Sequence, residues 1–169
     1  MKAKITNRKL HRWGSLLIAL PLIVVIVSGI LLQLKKEFNW IQPTTVRTSV
    51  NEPALTFDQI MAIVTKIEEV NISSWQDIDR IDVRPGKGII KVRANNNWEL
   101  QLHPATGEVL NIDYRRSDII ENIHDGSFFH DKVKLWVFLP TGLILFLLWV
   151  TGLYLFCLPY IVKFKRKNK

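Results

Sequence analysis

The sequence predicts a membrane α-helical protein with two transmembrane helices, plus a small α+β extracytoplasmic domain of one helix on a four-stranded antiparallel sheet. Two uncharged runs, Trp13 to Leu34 and Leu135 to Val162, each exceed the ~20 apolar residues that cross a bilayer's hydrocarbon core at ~1.5 Å per residue. The stretch between them is about 100 residues, near the usual size of one small domain. Within it, a helical apolar period gives way to short alternating segments.

Charge supports the same division. The net charge of +8 resembles a nucleic-acid signature until its distribution is read. All 15 acidic residues lie between Lys35 and Lys134 with 13 of the 23 basic ones, a balance of −2. The ends carry Lys2, Lys4, Arg8, Lys9 and Arg12, then Lys163, Lys165, Arg166, Lys167 and Lys169, with no acid. Basic residues flanking apolar spans are retained on the cytoplasmic side. The expected arrangement is a bacterial inner (cytoplasmic) membrane protein of two spans, both termini cytoplasmic and the central domain periplasmic. Its first partner is the lipid bilayer, and nucleic acid is excluded. The single cysteine, Cys157, permits no intramolecular disulfide, cysteine zinc site or iron–sulfur cluster. It reads as a small apolar residue within the second span.

In chain order, residues 1–12 form a basic tail and 13–34 the first transmembrane helix. That run is longer than a ~7–15-residue signal core and no A-x-A-like site follows it. Gln33, Lys35, Lys36, Glu37 and Trp40 follow instead, an interfacial anchor. Residues 35–53 form a Pro- and Thr-rich linker. The domain occupies 54–116. Thr56 and Gln59 fit a capping box, and Phe57, Ile60, Met61, Val64 and Ile67 keep a helical period. Four strands follow, centred on Ile78–Val83, Ile89–Arg93, Trp98–Leu102 and Glu108–Ile112, separated by Pro-Gly, Asn-rich and Thr-Gly turns. This pattern predicts a meander with one sheet face buried. Residues 117–132 are an amphipathic, histidine-bearing connector, 133–162 the second transmembrane helix, and 163–169 a second basic tail. Pro140 marks a kink or the true start of that helix.

Three segments together carry a family resemblance. The helix, three strands and closing hairpin His103-Pro104-Ala105-Thr106-Gly107-Glu108-Val109 resemble a PepSY domain. Leu10-His11-Arg12-Trp13, Ile123-His124-Asp125-Gly126 and Thr151-Gly152-Leu153-Tyr154-Leu155 resemble the PepSY-associated transmembrane helices. The chain is therefore identified as a small two-span member of that group; larger members have four or more helices. Its hairpin also begins with His103 where the family often has Asp.

The resemblance implies chemistry. Membrane-bound relatives include siderophore-reductase-like proteins similar to b-type cytochromes, in which histidines of a helix bundle hold haem b. Carried over to this chain, His11 and His124 are the haem-iron ligands, with His130 a further cofactor-binding candidate. His11 and His124 fall at opposite mouths of the membrane, too far apart to share one haem. A homodimer, or a partner membrane subunit, would supply the missing imidazoles. Ser28, Gly29, Thr141, Gly142, Thr151 and Gly152 admit close packing of helices or of a flat porphyrin. His103 reads as a solvated turn residue. His124-Asp125 and His130-Asp131 are six residues apart, which sets them on different helix faces and disfavours a copper or zinc site.

No catalytic constellation is visible: no Ser/His/Asp or Cys/His set, no H-E-x-x-H, no phosphate loop, no nicotinamide fingerprint. The reading is a redox subunit rather than a self-contained enzyme. It would move electrons across the membrane to a periplasmic redox protein, flavoprotein or ferric complex, and so serve iron reduction. The alternative is a non-redox anchored module that binds or inhibits a periplasmic partner such as a protease.

Overall fold

A computed structural model describes residues 2–49 and 52–167. The outermost residues of the two tails (1, 168 and 169) and positions 50–51 of the linker lie outside the described residues. The chain forms two compact units, Met1–Ile30 with Asn122–Lys169, and Leu31–Glu121.

The first unit is helical. Helix α1 runs Lys2–Gln33, so the basic segment read as a tail continues the helix; Lys and Arg are good helix formers. Near the other terminus, α4 (Asp131–Val133), a π-helical turn (Lys134–Phe138) and α5 (Leu139–Lys167) follow one another without a break, α5 running past Val162. The segments Ile5–Gln33 and Asp131–Phe164 are long and apolar enough to cross a membrane. Leu16, Leu17, Leu20, Phe146, Leu147 and Trp149 remain exposed, as side chains facing lipid must. Ile18, Ser28, Thr141 and Leu148 are buried between the helices. Gly14 lets the helices close, since a Cβ there would stand 3.1 Å from Leu148. Pro140 is the second residue of α5, within the continuous helical segment that begins at Asp131, directly after the π-helical turn. It has no N–H, and just before it the Leu139 N–H reaches back five residues to the Lys134 carbonyl.

The second unit is α+β. Helix α2 (Phe57–Val64) opens with the expected capping box: Gln59 N–H donates to Thr56 Oγ1 (3.3 Å), and Thr56 N–H to Gln59 Oε1 (2.8 Å). It ends before Ile67, which turns extended ahead of a 3₁₀ turn but still packs on the core. Strands β1 (Ile78–Arg84), β2 (Ile89–Ala94), β3 (Trp98–Leu102) and β4 (Val109–Tyr114) form the antiparallel meander in that order. The registers Ile81↔Val92, Val92↔Leu100 and Leu100↔Ile112 carry one apolar row across all four strands. That row meets Ile60 and Val64 of α2, with Val70 and Ile72, to form the core. Helix α3 (Arg116–Asp125) then leads out of this unit.

One expectation is corrected. Every residue of β2 is buried, as are Glu99 to Leu102 of β3, so both faces of the sheet centre are covered. The second face holds Lys91, Arg93, Glu99 and Gln101 rather than water-facing side chains. The linker lies over it as a strap. Gln101 accepts from Val46 N–H (2.9 Å) and donates to the Thr44 carbonyl (2.8 Å), while Thr48 N–H donates to the Lys87 carbonyl (3.1 Å). Ile41 is buried, and its carbonyl accepts from Ser117 N–H (2.7 Å). Beneath the strap Glu99 accepts from Lys91 (2.6 Å), Arg115 (2.7 Å) and Gln101 (3.0 Å). Arg115 also holds Asp118 in a two-pronged bond (2.9 and 3.1 Å). Burial pulls the Lys91 ammonium below its ordinary range, against the opposing pull of Glu99. A charge can sit in such a place only when paired and hydrogen-bonded.

Candidate histidine sites at the two ends of the helix pair

His124 is held by the local chemistry of Ile123-His124-Asp125-Gly126. It lies in the last turn of α3, which Gly126 ends in a left-handed conformation (φ +85°). Gly126 is required twice over, because a Cβ would also lie 2.4 Å from the Phe138 ring. Asp125 accepts from Ser127 N–H (2.9 Å), Ser127 Oγ (2.6 Å) and Lys134 Nζ (2.5 Å). Burial pushes its carboxyl up, but the bonds from Lys134 and Ser127 outweigh it and hold the group at about 2.

The ring of His124 is seated on α1. Nδ1 lies 2.9 Å from Ser28 Oγ, and Cε1 would lie 3.3 Å from a Cβ added at Gly29. Ser28 donates its single hydroxyl proton to the Val24 carbonyl at 2.5 Å, so toward His124 it presents a lone pair. This geometry favours a bond from Nδ1–H to Oγ. In the neutral ring this leaves Nε2 unprotonated, the state an imidazole needs to ligate iron.

The other end repeats the design with the helices exchanged. His11 lies on α1 and faces α5, its Nδ1 3.4 Å from Thr151 Oγ1. Thr151 donates to the Leu148 carbonyl (3.1 Å), again leaving a lone pair for the histidine. A Cβ on Gly152 would sit 3.5 Å from His11 Cε1, in ordinary contact, so this seat is looser. The carbonyl of His11 accepts from Ser15 (2.8 Å).

Each histidine lines its own apolar groove. That of His11, about 470 Å³, includes Ile18, Trp149, Gly152 and Phe156. That of His124, about 360 Å³, includes Val25, Lys134, Phe138, Thr141 and Gly142. Leu22 and Leu145 line both, so the two grooves meet midway along the helix pair. From His11 to Ser28 along α1 is about 25 Å at ~1.5 Å per residue, so the two imidazoles serve separate positions. Among the described residues no three His, Cys, Asp or Glu side chains gather into a metal-holding group.

His130 and His103 are built differently. His130 is exposed, and its Nδ1 accepts from Lys132 N–H (3.0 Å) as the cap of α4. His103 Nδ1 accepts from Ala105 N–H (3.3 Å) and Thr106 N–H (3.2 Å), the part an aspartate plays in such a turn. Both use Nδ1 as an acceptor from backbone N–H groups, whereas Nδ1 of His11 and of His124 meets a side-chain hydroxyl.

A haem iron needs an imidazole with a free nitrogen, a second group orienting the ring, and a flat apolar recess. His11 and His124 each bring an imidazole with a hydroxyl beside Nδ1 to an apolar groove, whereas His130 is exposed with Nδ1 engaged by Lys132 N–H. Sequence reasoning named Ser28, Gly29, Thr151 and Gly152 for their size and missed their pairing with the histidines, which joins positions 96 and 140 residues apart. No curated protein and no solved structure matches the chain. The family described as the PepSY-associated TM region matches residues 8–168, which include both histidines, both small-residue pairs and the sheet between them. The chain is thus a membrane protein that belongs to the PepSY-associated TM region family.

Proposed function

We propose that the chain is a haem-b-binding electron-transfer component of the bacterial inner membrane. The observation that carries this reading is the shared bonding of His11 and His124. In each, Nδ1 lies beside a hydroxyl that donates to a backbone carbonyl, an arrangement that favours the Nδ1–H tautomer, and the ring lines an apolar groove. Haem b, when bound, supplies one-electron carriage at each end of the helix pair. The chain's own residues orient the imidazoles and line the grooves with Leu22, Leu145, Phe138 and Phe156, while Asp125 and Lys134 at the His124 groove are paired with each other. Each groove presents one imidazole, so a second copy of the chain, or a partner membrane subunit, supplies the opposite ligand. Both termini are cytoplasmic and the sheet unit is periplasmic, where it docks the electron acceptor, a flavoprotein or ferric complex.

Absorption spectra of the detergent-purified protein, oxidised and dithionite-reduced, test the reading. The expected result is a sharp reduced α band that loses roughly half its intensity in His11→Ala and in His124→Ala. A folded but colourless protein from haem-replete cells would overturn it.

A second reading, a non-redox anchored module that binds a periplasmic partner such as a protease, draws on one observation. Phe57 and Trp75 form an edge-to-face pair (ring centroids 6.1 Å apart) with both rings exposed on the sheet unit. Full function in the double histidine variant would favour it.

A further inference from the structure

We infer that Ser28 is a positioning residue for His124, setting which ring nitrogen is free and how strongly it donates, whereas Thr151 performs the same task for His11 more weakly. The inference rests on the haem reading for its purpose but not for its geometry. A buried serine on a membrane helix ordinarily satisfies itself by donating to the carbonyl four residues back, and Ser28 does so. That bond alone would make Ser28 inert. Here it has a second effect, because a hydroxyl whose proton is committed can only accept from the ring that touches it. Ser28 is 4% exposed, so no water competes for that lone pair.

Two features make the control directional. Donation to Val24 at 2.5 Å polarises the hydroxyl and makes it a better acceptor for Nδ1–H. Gly29 then brings the Nδ1–Cε1 edge of the ring against α1, since a methyl there would press on Cε1 at 3.3 Å. At the His11 end both features are relaxed. The hydroxyl donates at 3.1 Å, the ring bond is 3.4 Å, and Gly152 leaves ordinary contact distance. A stronger acceptor on Nδ1–H makes Nε2 a more basic ligand, and loss of such a partner typically costs about 10–100-fold in metal affinity. The two ends are therefore predicted to be unequal, with His124 the more firmly set.

The test begins on haem-free, full-length protein in detergent, using ¹⁵N-labelled histidine and long-range ¹H–¹⁵N correlations that tell the two ring nitrogens apart. His124 is expected as the Nδ1–H tautomer in wild type, to lose that preference in Ser28→Ala, and to regain it in Ser28→Thr, which restores a hydroxyl. Thr151→Val is expected to move His11 less. An Nε2–H ring at His124 in wild type, or a tautomer unmoved by Ser28→Ala, would overturn the inference whatever haem does. With haem added, Ser28→Ala is expected to bind at least about tenfold more weakly and to shift the reduction potential upward, with Ser28→Thr reversing both. Wild type that takes up no haem but shows the stated tautomers would sink the haem reading and leave Ser28's control of the ring standing.

Discussion

Lys91 Nζ lies 2.6 Å from Glu99 Oε1, and the two side chains are 1% and 0% exposed. They occupy the sheet face opposite the apolar core, roofed by residues 41–48 and by Arg115. Removing one partner of a buried pair strands the other, at about 3–5 kcal/mol. Glu99→Ala is expected to cost at the upper end of that range, because it strands Lys91 and also takes a carboxylate from Arg93 and Arg115, the latter keeping Asp118. Lys91→Met with Glu99→Leu should destabilise less than Glu99→Ala alone. Hydrogen-exchange protection of the β2 and β3 amides in the full-length protein checks both.

Acid should destabilise the fold through the carboxylates whose folded-state pKa is depressed. Asp125 is held at about 2 against an ordinary 3.8, and Asp77 likewise at about 2 by donors from Ser73 and Ser74. A depressed pKa contributes stability that is fully present above the unfolded value and lost as pH falls through the folded one. Thermal stability should thus be flat from pH 7 to about 5, then fall between about 4 and 2. Asp125→Asn should lower stability at pH 6 and flatten part of that acid slope, read by melting at a series of pH values.

Gly126→Ala combines a left-handed backbone with a collision, so its cost should exceed the roughly 1–3 kcal/mol of strain at a disfavoured φ/ψ. In Phe138→Ala background the collision is gone and only the backbone part should remain. A double-mutant cycle in thermal denaturation separates the two contributions.

The membrane arrangement proposed here makes an accessibility prediction. In a Cys157→Ala background, a cysteine at the exposed Asn96 should react with an impermeant maleimide in spheroplasts, and one at Asn7 only after the membrane is opened. The reverse pattern would invert the topology.

What was legible in the sequence was what is local. The Thr56–Gln59 capping box spans four residues and carries its own start signal, and β3 alternates cleanly over Trp98–Leu102. Alternation says which residues share a face but not what covers it, which is why Glu99 and Gln101 read as solvent-facing. Their cover is the linker, whose Pro and Thr content signals only the absence of helix. The histidine partners were hidden for a related reason: Ser28 and Thr151 look like packing residues until the opposite helix arrives. His130 stands beside an aspartate just as His124 does, and only the folded arrangement separates the two, His130 exposed and capping a short helix, His124 seated against Ser28 and Gly29.

The reciprocal seats also constrain motion. His11 crosses from α1 to Thr151, and Ser28 crosses from the same helix to His124 near the other end. The two bonds pin α1 to α5 at one end and to α3 at the other, so a displacement of α1 by one turn, about 5.4 Å, unmakes both together. The buried contacts midway, Ile18 and Leu148, line the His11 groove and are placed to affect the His124 end, which they do not touch. A change of volume there is felt at both faces of the membrane, so the helix pair works as a gauge that keeps its two ends in step.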